Sequence, residues 1–343
     1  MTSPRRRAHE DRRGFLLARA KILAEVRAWF ASEGFIEADV SSLVAVPGGE
    51  AHLQAFETAL VRPDGSRERR YLATSPEFAM KKLIAAGETR LYDLARVFRN
   101  AEATPLHAPA FTMLEWYRAE APYTVVMADA IRLLRLAADA AGTQAIVRRG
   151  RACDPRAEPE ALTVAEAFAG HAGVDLGATL GSDGAPDRDA LAAEASRIGV
   201  AFGPDDTWSD IFSRILVERV EPHLGLLAPT LLFEYPAPEA ALARRCAHDP
   251  RFAERFELYV AGVELANGYG ELTDPEEQRR RFEAEMALKE SRYGERWPLD
   301  EQLLAALAEM PETSGVALGF DRLVMLATGA RRIDDVLWTP STD

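Results

Sequence analysis

Cysteine is nearly absent from this chain: Cys153 and Cys246 are the only two in 343 residues. Two thiols so far apart make neither a disulfide framework nor a cysteine-spaced metal cluster, and a reducing cytoplasm is the expected compartment. Long apolar runs are missing as well. Arg5, Arg6, Arg7, Arg12 and Arg13 precede GFLLARAKILAEVRAWF, which superficially resembles a targeting segment. Arg19, Lys21, Glu25 and Arg27 interrupt it too often for a signal core or a membrane span. Positive charge is in deficit: 41 Lys and Arg against 54 Asp and Glu leave −13. That balance disfavours a protein whose main work is gripping nucleic acid, while leaving room for a local basic patch at the start. Repeats and low-complexity linkers are also lacking, so one compact domain is expected, and 48% apolar residues suffice for its core.

What is present is concentrated in residues 91–118, LYDLARVFRNAEATPLHAPAFTMLEWYR. Two strand-like runs, one ending at Phe98 and Arg99 and one opening at Phe111, flank a polar loop containing proline. Alternation in the second run places Phe111, Met113, Glu115 and Tyr117 on one face and Leu114 and Trp116 on the other. A carboxylate between bulky apolar groups is costly to bury without a partner. It marks either a pocket-lining face or an amphipathic strand with a solvated acid.

Elsewhere, residues 15–31 have helical spacing (Leu16, Ile22, Leu23, Val26, Phe30) and stop at Gly34. Residues 35–40 read as a strand, followed by a loop with Pro47, Gly48 and Gly49. Residues 55–61 and 70–73 read as a hairpin around Pro63-Asp64-Gly65. Ser75-Pro76-Glu77 then opens a helix running to about residue 86, with Ser75 as N-cap and Glu77 in the first turn. A helix over 125–141 closes at Gly142; residues 143–207 yield no chemistry. Another helix spans 211–220 and a strand 230–235. Residues 256–266 form a hairpin across Ala261-Gly262, continuing into NGYGE as a strand and turn. Glu264 and Glu271 in such an arrangement can flank a divalent cation or an ammonium group, or be two solvated acids. A charged helix covers 275–292. Residues 314–329, SGVALGFDRLVMLATG, pass from a small-residue strand into a helix beginning near Asp321. There Arg322 opposes the helix dipole, so it wants an anion or, more plainly, a salt bridge to Asp321 or a neighbouring acid.

FRN, the loop with HxPxFTMLEWY, then VELANGYGELTD and GVALGFDRL, in that order, resemble the catalytic domain of class II lysyl-tRNA synthetases. More closely they resemble their short paralogues that ligate a beta-lysine-type amino acid to elongation factor P. The likeness runs from about Phe15 to the end. It implies an α+β fold, an antiparallel sheet flanked by helices. It divides the chain into a basic extension (1–14) and one catalytic domain (15–343) carrying a variable insert (143–240). The anticodon-binding module of a lysyl-tRNA synthetase is not expected here, which speaks against tRNA as acceptor. The resemblance implies ATP and Mg²⁺, an aminoacyl-adenylate, a cytoplasmic homodimer without membrane attachment, and elongation factor P as the protein partner.

By resemblance, Arg99 and Arg322 carry the catalytic role, Arg99 on the α-phosphate and Arg322 with His107 on the outer phosphates. Phe111 and Arg322 sandwich the adenine. Asn100, Ala101, Ala108, Leu265 and Gly319 lie along the nucleotide, and Glu264 with Glu271 is the metal pair. The amino acid falls to Ser75, Pro76 and Glu77 at its backbone-side amine, Tyr117 and Glu271 (supported by Glu115) at its terminal ammonium, and Asn267 at its carboxylate. Ala317, where ordinary lysyl synthetases tend to have glycine, reshapes the amine end and suits (R)-beta-lysine over lysine. The chain departs from the family pattern at Ala101, Ala108 and Ala110, where polar residues are usual. Ser41 stands in place of the first motif's proline, which bears on the dimer. Three functions compete: the elongation factor P ligase; a truncated synthetase-like enzyme with a tRNA or carrier-protein acceptor; and an inactive ligand-binding paralogue.

Overall fold

The structure is a computed structural model and describes residues 4–340. The side chains of Arg5 and Arg6 lie outside the description. In chain order the first elements are α1 (Pro4–Ser32), β1 (Ile36–Glu37), β2 (Leu43–Val44), β3 (Glu57–Val61), β4 (Arg67–Leu72) and α2 (Glu77–Ala85). There follow β5 (Arg90–Phe98), β6 (Ala110–Ala119), α3 (Tyr123–Ala141), β7 (Ile146–Arg148), β8 (Arg151–Cys153), β9 (Glu160–Thr163), α4 (Val164–Ala167), α5 (Arg188–Arg197) and α6 (Trp208–Ile215). The chain ends with β10 (Thr230–Pro236), β11 (Phe252–Val260), β12 (Val263–Gly270), α7 (Pro275–Tyr293), α8 (Glu301–Leu307), β13 (Thr313–Gly319) and α9 (Phe320–Thr328). The strands pair mainly antiparallel and helices pack on them, giving the α+β class. Two compact units result: Met1–Ala121, Leu133–Thr143 and Thr273–Asp343 in one, Pro122–Arg132 and Gln144–Leu272 in the other.

In the first unit β5, β6 and β13 run antiparallel, with β1 parallel to β5. The predicted alternation holds. Leu114 and Trp116 turn toward α1, where Phe30 stacks on Tyr92 with centroids 4.2 Å apart and meets Trp116 edge-on. Leu16, Ile22, Val26 and Phe30 are fully buried. This helix starts well before residue 15, because Arg12 is held by tertiary contact: its guanidinium donates to the carbonyls of Asp334 and Leu337 at 2.7 and 2.8 Å. The strand expected over 35–40 shortens to Ile36–Glu37. After Ala38 donates to the Tyr92 carbonyl, the chain leaves the ladder and Val40 donates instead to the Asp93 carboxylate. The α2 helix begins at Glu77, and Ser75 caps it from one residue further out, its hydroxyl accepting the Glu77 amide at 3.0 Å.

In the second unit β12, β11 and β10 form an antiparallel ladder with β9 parallel to β10. Its core is Phe168, Trp208, Phe212, Leu232, Tyr235 and Tyr259 with their aliphatic neighbours. The helix expected over 211–220 is α6 followed by a wider π-type turn, Leu216–Val220. Ala261 (φ +51°) and Gly262 (φ +71°) make the two-residue hairpin turn that the sequence suggested. The stretch NGYGE, expected as a strand and turn, is strand as far as Gly270. Asn267, Gly268 and Tyr269 pair in register with Glu257, Phe256 and Arg255, so β12 runs on to Gly270. A Cβ on Gly270 would lie 2.2 Å from a Glu254 carboxylate oxygen, so a larger residue there would have to displace the Glu254 side chain from Arg244.

Candidate active site

In the first unit, residues opposite one another on adjacent strands share a face. Asp93, Glu115 and Ala317 form one such row, Leu91, Tyr117 and Gly315 the next, and Val97 with Phe111 lies toward the other end. The Glu115 carboxylate is 2% exposed and fully engaged. It accepts from the Ser75 hydroxyl at 2.8 Å and from the Tyr117 phenol at 2.5 Å. Glu115 thereby fixes the orientation of both hydroxyls. Glu77, on the first turn of α2, is bridged by the buried Lys81 ammonium one turn on, at 2.6 Å. Neither Lys81 nor Asp93 was anticipated from sequence. Lys81 looked like an ordinary helix cation, and Asp93 becomes a site-face acid only through its register with Glu115. Burial pushes the Asp93 carboxyl up to about 6, against the Val40 amide, with Asp39 and Glu37 adding repulsion.

About four strand residues from Glu115, some 13 Å along β6, the same face turns cationic. Arg99 lies over the Phe111 ring, 5.6 Å from its centroid. Arg322 donates to His107 Nε2 at 2.8 Å, and His107 Nδ1 lies 2.8 Å from the Thr104 hydroxyl. An acceptor at Nε2 puts the ring proton on Nδ1, so His107 is a neutral imidazole. Burial lowers its pKa first, then the Arg322 and Arg99 charges, with Glu102 opposing them. The structure thus gathers Arg99, Arg322 and His107, and it is Arg99 that covers Phe111. Of the acids the sequence offers Arg322, Asp321 is engaged elsewhere. Asp321 is committed to Arg19 and to the Thr112 amide.

Gly319 precedes α9, and a Cβ there would meet only Arg322, at 3.4 Å. Asn100 and Ala101 lie in a turn beyond β5, where Ala101 takes a left-handed φ of +61°. The turn removes the strand parity that would have aimed Glu102 away, and Glu102 acts on His107 instead. Ala108 is buried, and Ala110 opens β6 opposite Phe98.

The second unit carries Glu264, Leu265, Asn267 and Glu271. Leu265 and Glu271 are buried and Glu264 is exposed. The Asn267 amide oxygen is buried without a hydrogen-bond partner. The expected metal pair is corrected here. Glu264 and Glu271 are separated by the whole of an extended strand, about 23 Å at the usual rise per residue. Magnesium–oxygen bonds are roughly 2 Å long, so these two carboxylates do not share one ion. The acid beside Glu264 is Glu257 on β11. A bulge sets Glu264 opposite Tyr259, whose phenol donates to Glu257 at 2.7 Å. Both carboxylates help hold the Tyr235 and Tyr259 phenols protonated, behind burial as the first cause. Glu257 and Glu264 are thus the two acids this strand pair brings together, Glu257 also accepting from Arg255 at 2.7 Å. A cross-strand partner of this kind leaves no trace in linear spacing.

The family model of the class II tRNA synthetases (D, K and N) matches residues 6–343. An elongation factor P–(R)-beta-lysine ligase of Salmonella gallinarum is 41% identical over 325 residues, covering 94% of this chain and 93% of that protein. The protein of the same name from Proteus mirabilis is 39% identical over 327 residues, with 95% and 94% covered. The one from Sodalis glossinidius is 40% identical over 324 residues, with 94% and 93% covered.

Proposed function

The chain belongs to the class II tRNA synthetases of the D, K and N group, and from that premise we propose that it activates (R)-beta-lysine with ATP and transfers it to a lysine side chain of elongation factor P. The observation that carries this reading is the polarity of one sheet face in the first unit. A carboxylate-and-phenol end (Glu115, Tyr117, Glu77) stands about 13 Å from an end of two guanidiniums and a neutral imidazole.

In the first step the amino acid carboxylate attacks the α-phosphorus of ATP; a C–O–P linkage forms, the bond to the β-phosphate breaks, and pyrophosphate leaves. The nucleophile is already ionised, so no general base is needed, and the protein's work is alignment and charge neutralisation. Arg99 presents a planar fork to the α-phosphate, and Arg322 and His107 bind the outer phosphates. Phe111 carries the adenine, with Asn100, Leu265 and Gly319 along the nucleotide. Glu102 supplies near His107 the carboxylate missing at Ala101. Glu257 and Glu264 would hold Mg²⁺, which when bound would act as a Lewis acid and neutralise phosphate charge. In the second step the acceptor ε-amine attacks the adenylate carbonyl, an amide forms, AMP departs and a proton goes to solvent.

The amino acid's own charges are met by Glu77 (flanked by Ser75 and Pro76), Tyr117 and Glu271, and Asn267 binds its carboxylate. The Asn267 NH2 would donate to that carboxylate, and its orphaned amide oxygen would accept from a ligand N–H such as an ammonium group. Ala317, in register with Glu115, sets the shape of the amine end. The enzyme acts as a homodimer, a reading supported by exposed Ile36 and Leu43 near the first motif and tested by light scattering. No helix among the described residues is long and apolar enough to cross a membrane, and a translation-factor acceptor places the reaction in the cytoplasm.

ATP–pyrophosphate exchange with (R)-beta-lysine and lysine, followed by mass measurement of elongation factor P and of bulk tRNA, tests the reading. Exchange with both amino acids absent would leave an inactive paralogue. Charged tRNA with unmodified elongation factor P would move the acceptor.

A further inference from the structure

Cys153 and Cys246 show no metal-like spacing along the sequence. The fold of the second unit supplies the partners that spacing could not. The ligating atoms of Glu234, Cys246 and His248 all lie within 4.8 Å of one another. Glu234 sits on β10 at a register shift between Phe233 and Tyr235, with φ +57°, which turns its carboxylate out of the ladder toward the segment bearing Cys246 and His248. Its oxygen is 3.5 Å from His248 Nε2. Zn–N and Zn–O bonds near 2.0–2.1 Å at the tetrahedral angle would separate two such atoms by roughly 3.3 Å. The Glu234–His248 edge is therefore already close to coordination geometry.

Charge points the same way. Of the nearby charged groups, Arg244 is taken by Glu254 and Arg251 by Asp249. Glu234 has the exposed imidazole of His248 as its ion-pair partner and the thiol of Cys246, 4% exposed, close by. Binding of a dication would displace the Cys246 thiol proton to solvent and leave a thiolate ligand beside the carboxylate and the imidazole.

We propose that Glu234, Cys246 and His248 form a three-ligand site for a zinc-type dication, with a further coordination position open on the exposed His248 side. The mixed sulfur, nitrogen and oxygen set selects a borderline transition metal over Mg²⁺, which prefers oxygen alone. The site is separate from the Glu257 and Glu264 pair. Its loop also touches the substrate machinery: the Arg244 amide donates to the Gly270 carbonyl and Ala243 pairs with Glu271. Metal binding would thus brace the backbone behind Glu271.

The test is a Co²⁺ titration of the full-length, chelator-dialysed protein in excess Mg²⁺, which saturates oxygen-only sites. The expected result is a near-ultraviolet thiolate-to-cobalt band saturating at one ion per chain and displaced by Zn²⁺. It should be abolished by Cys246→Ser and retained in Cys153→Ser. His248→Ala, at an exposed position that does not threaten folding, should weaken binding at least about tenfold, the usual scale for lost metal-site partners. Absence of the band, its survival in Cys246→Ser, or indifference to His248→Ala would overturn the proposal.

Discussion

Arg19 offers the sharpest test of how the first unit is held together. Its guanidinium pairs with Asp321 and donates to the Thr112 hydroxyl at 3.0 Å, while Asp321 also accepts the Thr112 amide at 2.8 Å. The side chains are 10% and 2% exposed, and the guanidinium lies over the Phe320 ring, 4.9 Å from its centroid. One buried ion pair thus ties α1, β6 and the first turn of α9, the residue before Arg322. Removing one partner of a buried pair strands the other charge, and Arg19→Ala should cost about 3–5 kcal/mol, against a total stability on the order of 5–15 kcal/mol. Pairing Arg19→Met with Asp321→Asn removes both charges while keeping an acceptor for the Thr112 amide. The double variant should recover about 2 kcal/mol relative to the sum of the single losses. Urea unfolding of the parent, Arg19→Ala, Arg19→Met, Asp321→Asn and the double variant measures the loss and the cycle, and the KM for ATP reports whether Arg322 has moved with its helix. A loss under about 1 kcal/mol for Arg19→Ala, or additivity in the cycle, would refute the claim that the pair is buried and coupled.

Asp93 gives a pH signature. Its folded pKa, about 6, lies above the unfolded carboxyl near 3.9, so the folded state holds the proton more tightly. Stability from this group is fully present below about pH 4 and lost as pH rises through 6, a fall of roughly 3 kcal/mol at most. Asp93→Asn should flatten that window and stabilise the protein at neutral pH; an unchanged pH profile in urea unfolding contradicts it. Glu257→Gln should raise the Mg²⁺ needed for half-maximal pyrophosphate exchange at least about tenfold, whereas Glu271→Gln should raise the KM for the amino acid and leave the Mg²⁺ dependence alone. The reverse pattern would restore the linear reading of the metal pair. Ala317→Gly should shift the ratio of kcat/KM for (R)-beta-lysine over lysine downward, by no more than the 10–200-fold, about 1–3 kcal/mol, that a methyl group commands.

Much of this was legible because period and punctuation agree locally. The β5 and β6 runs alternate, Ala261-Gly262 announces its hairpin, and Gly319-Phe320-Asp321 marks the passage from β13 into α9. What escaped depends on residues brought together from afar. Lys81 is an unremarkable helical lysine until α2 is laid on the sheet. Asp93 and Glu257 acquire meaning only from cross-strand register, and Glu234 only from a bulge. Arg12 extends α1 because carbonyls more than three hundred positions away receive it. The NGYGE stretch misled for the opposite reason: a local turn signal is overridden when the neighbouring strand β11 supplies pairing.

The same contrast weighs the departures from the family pattern. Ala101 lies in a loop whose backbone has turned through a left-handed residue, so chemistry lost at one position can be offered by the next, and Glu102 already acts on His107. Glu115 has no such freedom. It is gripped by Ser75 and Tyr117 and lies in register between Asp93 and Ala317, and a one-residue slip there would send every side chain of β6 to the opposite face. Alanines in the nucleotide loop are therefore weak grounds for calling the chain inactive. A change at Glu115 or Tyr117 would be strong grounds, because there the lost group has no neighbour that could take its place.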